Sequence, residues 1–169
     1  IWEASDAVRM MAATGCDGVV IGRGCLGRPW LFGDLVEALA GRPVPPSRRL
    51  GEVCEVMVEH ARLLVEHLGE NHAMRDFRKH TGWYMSGYPV GPEVRRRFSM
   101  VKTLMELEDI VADLDPTAPI VAGGERIKRG HTNGPIKVSL PDGWLDGHRR
   151  EELLHDGSVP DDDQVMALS

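Results

Sequence analysis

Three glycines and an arginine in Gly22-Arg23-Gly24-Cys25-Leu26-Gly27 form the part of this chain best suited to chemistry. Missing side chains at Gly22, Gly24 and Gly27 allow positive φ and let an anion approach backbone N–H groups, while Arg23 adds a planar fork of donors for phosphate oxygens. The preceding run, Gly18-Val19-Val20-Ile21, is β-branched without polar alternation, the pattern of a strand covered on both faces. Pro29-Trp30 closes the following run. The pattern predicts a strand feeding a phosphate-holding turn. A tight turn with no ligand is the simpler alternative for the same residues.

A second set lies in Arg75-Asp76-Phe77-Arg78-Lys79-His80-Thr81-Gly82-Trp83-Tyr84. At helical spacing Arg75, Arg78, Lys79 and Gly82 share one face, with Phe77 and Tyr84 on another. Such a face can meet a phosphate backbone. Arg95-Arg96-Arg97 on the next helix would widen it, and Trp83 or Tyr84 could stack on a base. The same residues also read as a solvated basic face over a core Trp and Tyr. From Glu70 to Lys102 seven basic residues face three acidic ones, a local +4 within a chain of net charge −6. The overall charge excludes indiscriminate nucleic-acid binding, but attraction to phosphate acts locally because salt screens over about 10 Å. From Asp115 to Ser169 six basic residues face ten acidic ones.

Metal and thiol chemistry are poorly supported. His60 and His67 are seven apart and His72 and His80 eight apart, with no accompanying HExxH or carboxylate triad, so no metal site is expected. Cys16, Cys25 and Cys54 are odd in number and share no CxxC spacing, which fits a reducing cytoplasm better than a disulfide framework. Only Cys25 would lie near a ligand, and a small residue packing the turn explains it equally well.

These residues need elements to position them. Glu3 to Thr14 reads as an amphipathic helix with Ala7, Val8, Met10 and Met11 inward and Gly15 to stop it. Helix, strand and glycine turn make a piece of α/β architecture, and a lone strand cannot stand by itself. Trp30–Ala40 looks helical. Gly41 to Pro46 is a stiff proline-rich connection and the best domain boundary. Beyond it Leu50, Val53, Cys54, Met57, Ala61, Leu64, Val65 and Leu68 follow the i, i+3, i+4, i+7 template of a long helix, roughly 48 to 68. Further helices are expected over about 70–85, 92–101 and 103–114, with Val94, Phe98, Val101, Leu104, Leu107 and Val111 in the core. The expected domains are 1–42, 47–114 and a flexible, largely disordered tail over 115–169, in which Ile136–Leu140 and Arg149–His155 could form short elements. No stretch approaches the roughly 18 apolar residues of a membrane span. The chain starts at Ile1 and reads as a fragment of a longer one.

The glycine turn matches G-x-G-x-x-G literally, but a dinucleotide fold needs a helix at the third glycine, a second strand and an acidic residue about 20 positions later. Pro29 interrupts, and nearly everything up to Leu114 reads as helix. The last strand of a (β/α)8 TIM barrel, whose closing loops form a phosphate site, fits better. The expected fold is therefore α/β then all-α: the end of a TIM barrel, a small helical bundle and the tail.

Asp17-Gly18-Val19-Val20-Ile21-Gly22-Arg23-Gly24 with Gly27-Arg28-Pro29-Trp30, followed by Met74-Arg75-Asp76-Phe77-Arg78-Lys79-His80, Trp83-Tyr84 and Gly87, resembles the flavin-dependent tRNA-dihydrouridine synthases over roughly Ile1 to Leu114. The resemblance implies an FMN-binding barrel with a C-terminal helical domain that grips tRNA, NADPH as reductant, and reduction of uridine to dihydrouridine. It implies Gly22 and Arg23 as contacts to the FMN phosphate, with Gly24 shaping the loop. Arg75, Arg78, Lys79 and His80 become tRNA-contacting or domain-orienting positions, with Arg95, Arg96 and Arg97 beside them. The family's catalytic cysteine has no counterpart here and would lie upstream of Ile1, as would the flavin-holding lysine and histidine. A single leftover βα unit leaves seven barrel strands unaccounted for, so this chain alone is expected to be inactive; the protein is expected to be cytoplasmic and monomeric. Two alternatives remain: an FMN barrel oxidoreductase acting on a small molecule, and a non-catalytic helical adaptor.

Overall fold

A computed structural model describes residues 1–130, which are helical with irregular connections. The helices are α1 (Ala4–Thr14), α2 (Leu31–Leu39), α3 (Leu50–Leu68), α4 (Glu70–Tyr84), α5 (Pro92–Met100) and α6 (Leu104–Ala112), with short 3-10 turns at Arg23–Cys25 and Gly124–Arg126. The suggested elements at Ile136–Leu140 and Arg149–His155 lie outside the described residues.

Local signals set these helix ends. At the start of α1 the N–H groups of Trp2 and Glu3 donate to the Asp6 carboxylate at 2.9 and 3.1 Å. The N–H of Arg49 donates to Glu52 at 2.8 Å ahead of α3, and Thr103 accepts from the Glu106 N–H at 3.1 Å at the start of α6. Each satisfies donors that a helix start leaves open. Pro92 stands in the first turn of α5, where its missing N–H costs nothing. Gly69 adopts φ 75° between α3 and α4, so the two long helices are joined by one residue in a conformation that favours glycine.

The main core lies among α3 to α6. Leu50, Val53, Cys54, Met57 and Ala61 of α3 pack with Met74, Phe77 and Tyr84 of α4, Phe98 of α5, and Leu107 and Ile110 of α6. The predicted stripe of α3 is buried up to Ala61 and fades beyond it: Leu68 is exposed. A smaller cluster joins α1 to α2 through Ala4, Ala7, Leu31 and Leu35.

Two expectations are corrected. The strand predicted at 18–21 does not form: no strand is present among the described residues, and Val20 is 93% exposed. A buried parallel strand needs neighbours to take its N–H and C=O groups, and none runs beside this segment. Val8 and Met10 of α1, expected inward, are exposed. The second correction concerns the tail. Residues 115–130, expected to be flexible, fold back onto the helices: the Leu50 N–H donates to the Ala118 carbonyl at 3.0 Å and the Val121 N–H to that of Gly87 at 2.8 Å. Apolar residues at Ala118 and Ile120 give this segment enough to bury against the bundle despite its polar composition.

Candidate functional site

The glycine turn runs through the 3-10 turn Arg23–Cys25 into α2. Gly22 and Arg23 are exposed, and Arg23 makes no side-chain hydrogen bond or ion pair among the described residues. Space for a Cβ is open around Gly22, whereas a Cβ on Gly24 would collide with the carbonyl oxygen of Ile1. The space beside Gly22 is therefore open among the described residues, whereas Gly24 packs tightly against the start of the chain. The Cys25 thiol donates to the Gly22 carbonyl at 3.1 Å, which ties the turn together. Gly27 has φ 66° and lies against the backbone of Trp83, so the turn meets the end of α4 at a place where a side chain does not fit.

Basic residues of α4 and α5 divide into two groups. Arg75 is exposed and has no side-chain partner among the described residues. Lys79 pairs with Asp76, Arg96 with Glu93 at 2.7 Å, and Arg97 with Asp113 at 2.9 Å, all at the surface. Arg78 instead donates to the Val101 carbonyl at 2.8 Å, and Arg95 donates to the carbonyls of Met85 and Tyr88 at 3.1 and 2.8 Å, closing the end of α4. Exposed ion pairs such as those of Lys79, Arg96 and Arg97 are worth little and exchange readily with a phosphate. Arg75, Lys79, Arg96 and Arg97 thus present a surface, while Arg78 and Arg95 hold backbone.

His80 turns inward. Its ring meets Trp83 edge to face at 4.8 Å and stacks near Phe77 at 5.8 Å. Burial, with the neighbouring His60 and Lys79, pushes its pKa down to about 4, so the ring is neutral near pH 7 and offers no charge to a phosphate. Tyr84 is buried and shares a hydrogen bond of 3.1 Å with His60 Nδ1, which removes it as a stacking platform. Trp83 is half-buried. A groove of about 570 Å³ opens between the glycine turn and α3–α4, lined by Leu26, Gly27, Glu59, His60, Leu63 and His80. Glu59 and Glu55 along it make it a poor path for a polyanion.

Sequence reasoning missed a buried cluster of arginines. Arg28 is 6% exposed and donates to the carbonyls of Trp2 at 2.7 Å and Glu125 at 3.1 Å. Arg129 is 2% exposed and donates to the carbonyls of Ser86, Gly124, Glu125 and Ile127. Arg48 stacks over Trp30, 5.2 Å from the ring centroid. With Asp34 these groups line a small cavity of about 120 Å³. Burial lowers the pKa of Arg28, and that of Arg129 falls to about 10 through burial and the nearby Arg28. The available signal was the apolar Ala118 and Ile120 just ahead of the Gly123-Gly124 pair. Among the described residues no group of three or more His, Cys, Asp or Glu is placed to hold a metal, and no helix is long and apolar enough to cross a membrane.

The chain is 53% identical to a protein of Mycobacterium leprae named "Probable tRNA-dihydrouridine synthase", over 147 residues covering 86% of this chain and 38% of that protein. It is 50% identical to a protein of the same name from Mycobacterium tuberculosis strain H37Rv, over 86% of this chain and 37% of the relative. To "tRNA-dihydrouridine synthase B" of Pseudomonas putida it is 37% identical over 60% of this chain and 30% of that protein. The chain thus spans well under half the length of these relatives. The family model described as dihydrouridine synthase matches residues 1–118, and so the chain belongs to the dihydrouridine synthase family.

Proposed function

We propose that this chain serves a flavin-dependent tRNA-dihydrouridine synthase as the part that holds the cofactor phosphate and the tRNA. The observation that carries the reading is the pairing, within one family match, of an open glycine turn bearing Arg23 with a basic surface on α4 and α5. Gly22 and Arg23 would hold the FMN phosphate, the first by leaving room and the second by donating from its guanidinium. When bound, FMN would supply the hydride that reduces the uracil ring, with NADPH as its source.

This chain's residues bind and orient. Arg75 and Lys79 lie four apart on α4 and would contact tRNA phosphates, with Arg96 and Arg97 extending the surface. Arg78 and His80 support that surface from behind, and Arg95, itself exposed, braces the end of α4. No cysteine here is assigned as the proton donor. Cys54 is buried with its thiol pushed up to about 11, Cys25 is tied to Gly22, and Cys16 is exposed beyond α1. The domains are read as a barrel end over 1–42 and a tRNA-binding bundle over 47–114, acting in the cytoplasm as a monomer.

Binding of tRNA to the 169-residue chain, titrated at several salt concentrations, tests the reading. Arg75→Ala combined with Lys79→Ala should weaken binding by about tenfold or more and flatten the salt dependence by about one unit for each phosphate no longer bound. Unchanged affinity would favour an oxidoreductase acting on a small molecule.

A further inference from the structure

Residues 119–130 lie past the end of the family match, yet they touch α1, the glycine turn and the helical bundle alike. The segment leaves α3 where Arg49 donates to the Thr117 carbonyl at 2.6 Å, then pairs with the α4–α5 turn through Val121 and Gly87. That crossing is close: a Cβ on Gly87 would stand 3.0 Å from the Gly124 Cα. It then reaches the start of α1, where Arg126 Nη2 meets Glu3 at 2.8 Å and Asp6 at 3.0 Å. It ends against the glycine turn, where a Cβ on Gly130 would lie 3.3 Å from both the Arg23 Cδ and the Leu26 Cδ1. Arg129 anchors it from inside.

The α1–α2 cluster is too small to hold its own place. Four buried side chains, two of them alanines, form it. A core of that size contributes little, so its position depends on ties to the bundle. One direct tie is Gly27 against Trp83. Trp30 ahead of α2 also packs on the bundle core beneath Arg48, and further ties run through the segment itself: Arg28 to the Glu125 carbonyl, Arg126 to the first turn of α1, and Arg129 to the Ser86 carbonyl.

We propose that residues 119–130 are a strap that fixes α1 and the glycine turn against the helical bundle, with Arg126 and Arg129 as its positioning residues. It would keep the phosphate-holding turn and the basic surface of α4–α5 in one relative position. The strap follows from these contacts alone and requires neither tRNA nor flavin.

Hydrogen exchange of the 169-residue chain, read by mass spectrometry peptide by peptide, tests it. Arg126→Ala should speed exchange in α1 by about tenfold and leave the core amides of α3 and α4 within about twofold of the unaltered chain. Arg129→Met should do the same to α1 and to residues 22–30. Arg126→Lys should restore most of the protection, because the tie to Glu3 and Asp6 is charge against charge. Unchanged α1 exchange in Arg126→Ala would overturn the strap, as would failure of Arg126→Lys to restore it. Equal acceleration of α3, α4 and α1 would place these arginines in the general core and overturn it too. Should Arg129→Met fail to fold, Arg126→Ala decides alone, since Arg126 is at the surface. Neither outcome touches the synthase reading, whose test is tRNA binding.

Discussion

The imidazole rings of His60 on α3 and His80 on α4 meet edge to face with their centroids 4.8 Å apart. Both are half-buried, and both are held in the neutral form, chiefly by burial. The folded value of about 4 for His80 lies below the free-imidazole value of 6.5. Between those limits the unfolded chain binds the extra proton, so stability rises with pH. The contribution is complete above the unfolded value and is lost as pH falls through the window toward the folded one. Urea midpoints measured across this range should fall on acidification. His80→Gln should flatten the dependence, and an equally steep loss in that variant would exclude His80 as the source.

Arg75 and Arg78 are neighbours on α4 with different tasks. Arg78→Met should cost about 1–2 kcal/mol of stability, because the Val101 carbonyl loses its charged donor. Arg75→Ala should leave stability within about 0.5 kcal/mol and lower tRNA affinity instead. Thermal melts beside tRNA titrations of the two variants separate these effects. Equal behaviour in both assays would show that the division between surface and backbone-holding arginines is wrong.

Gly27→Ala should destabilise the chain by about 2 kcal/mol or more. The residue sits at φ 66°, and the added Cβ would press on the Trp83 backbone, which cannot move aside as a side chain can. Gly33→Ala on the open side of α2, where nothing lies within 4 Å, should stabilise slightly or change nothing. Chemical denaturation of both variants checks the contrast.

Thiol alkylation followed by mass spectrometry should label Cys16 first and Cys54 last. Cys16 is exposed, whereas Cys54 is buried in the bundle with its thiol pushed up to about 11 by burial and the charge of Glu55. Rapid labelling of Cys54 under native conditions would mean that α3 and α6 part more readily than their packing implies.

Helices were the most legible part of the sequence because their periods are local. The apolar spacing of α3, the glycines at 15 and 69 and the proline opening α5 each act within one or two turns, and the observed ends lie within about two residues of the expected ones. The strand expected at 18–21 is absent among the described residues because its pattern describes a surroundings rather than a backbone preference. Val19, Val20 and Ile21 suit a sheet interior, but a strand exists only where neighbours pair with it.

The sequence by itself determined the family, through Asp17–Gly24, Gly27–Trp30 and Met74–His80 in order, and the residue types that could meet phosphate. Tertiary structure alone decided which basic side chains are available. His80 lost its charge to an aromatic cluster, Arg78 and Arg95 went to backbone carbonyls, and Arg28 and Arg129 were drawn inside. Helical spacing reports the face on which a residue lies, but not what packs there. A guanidinium turns inward only when carbonyls distant in sequence converge to satisfy it, as those of Trp2 and Glu125 do around Arg28.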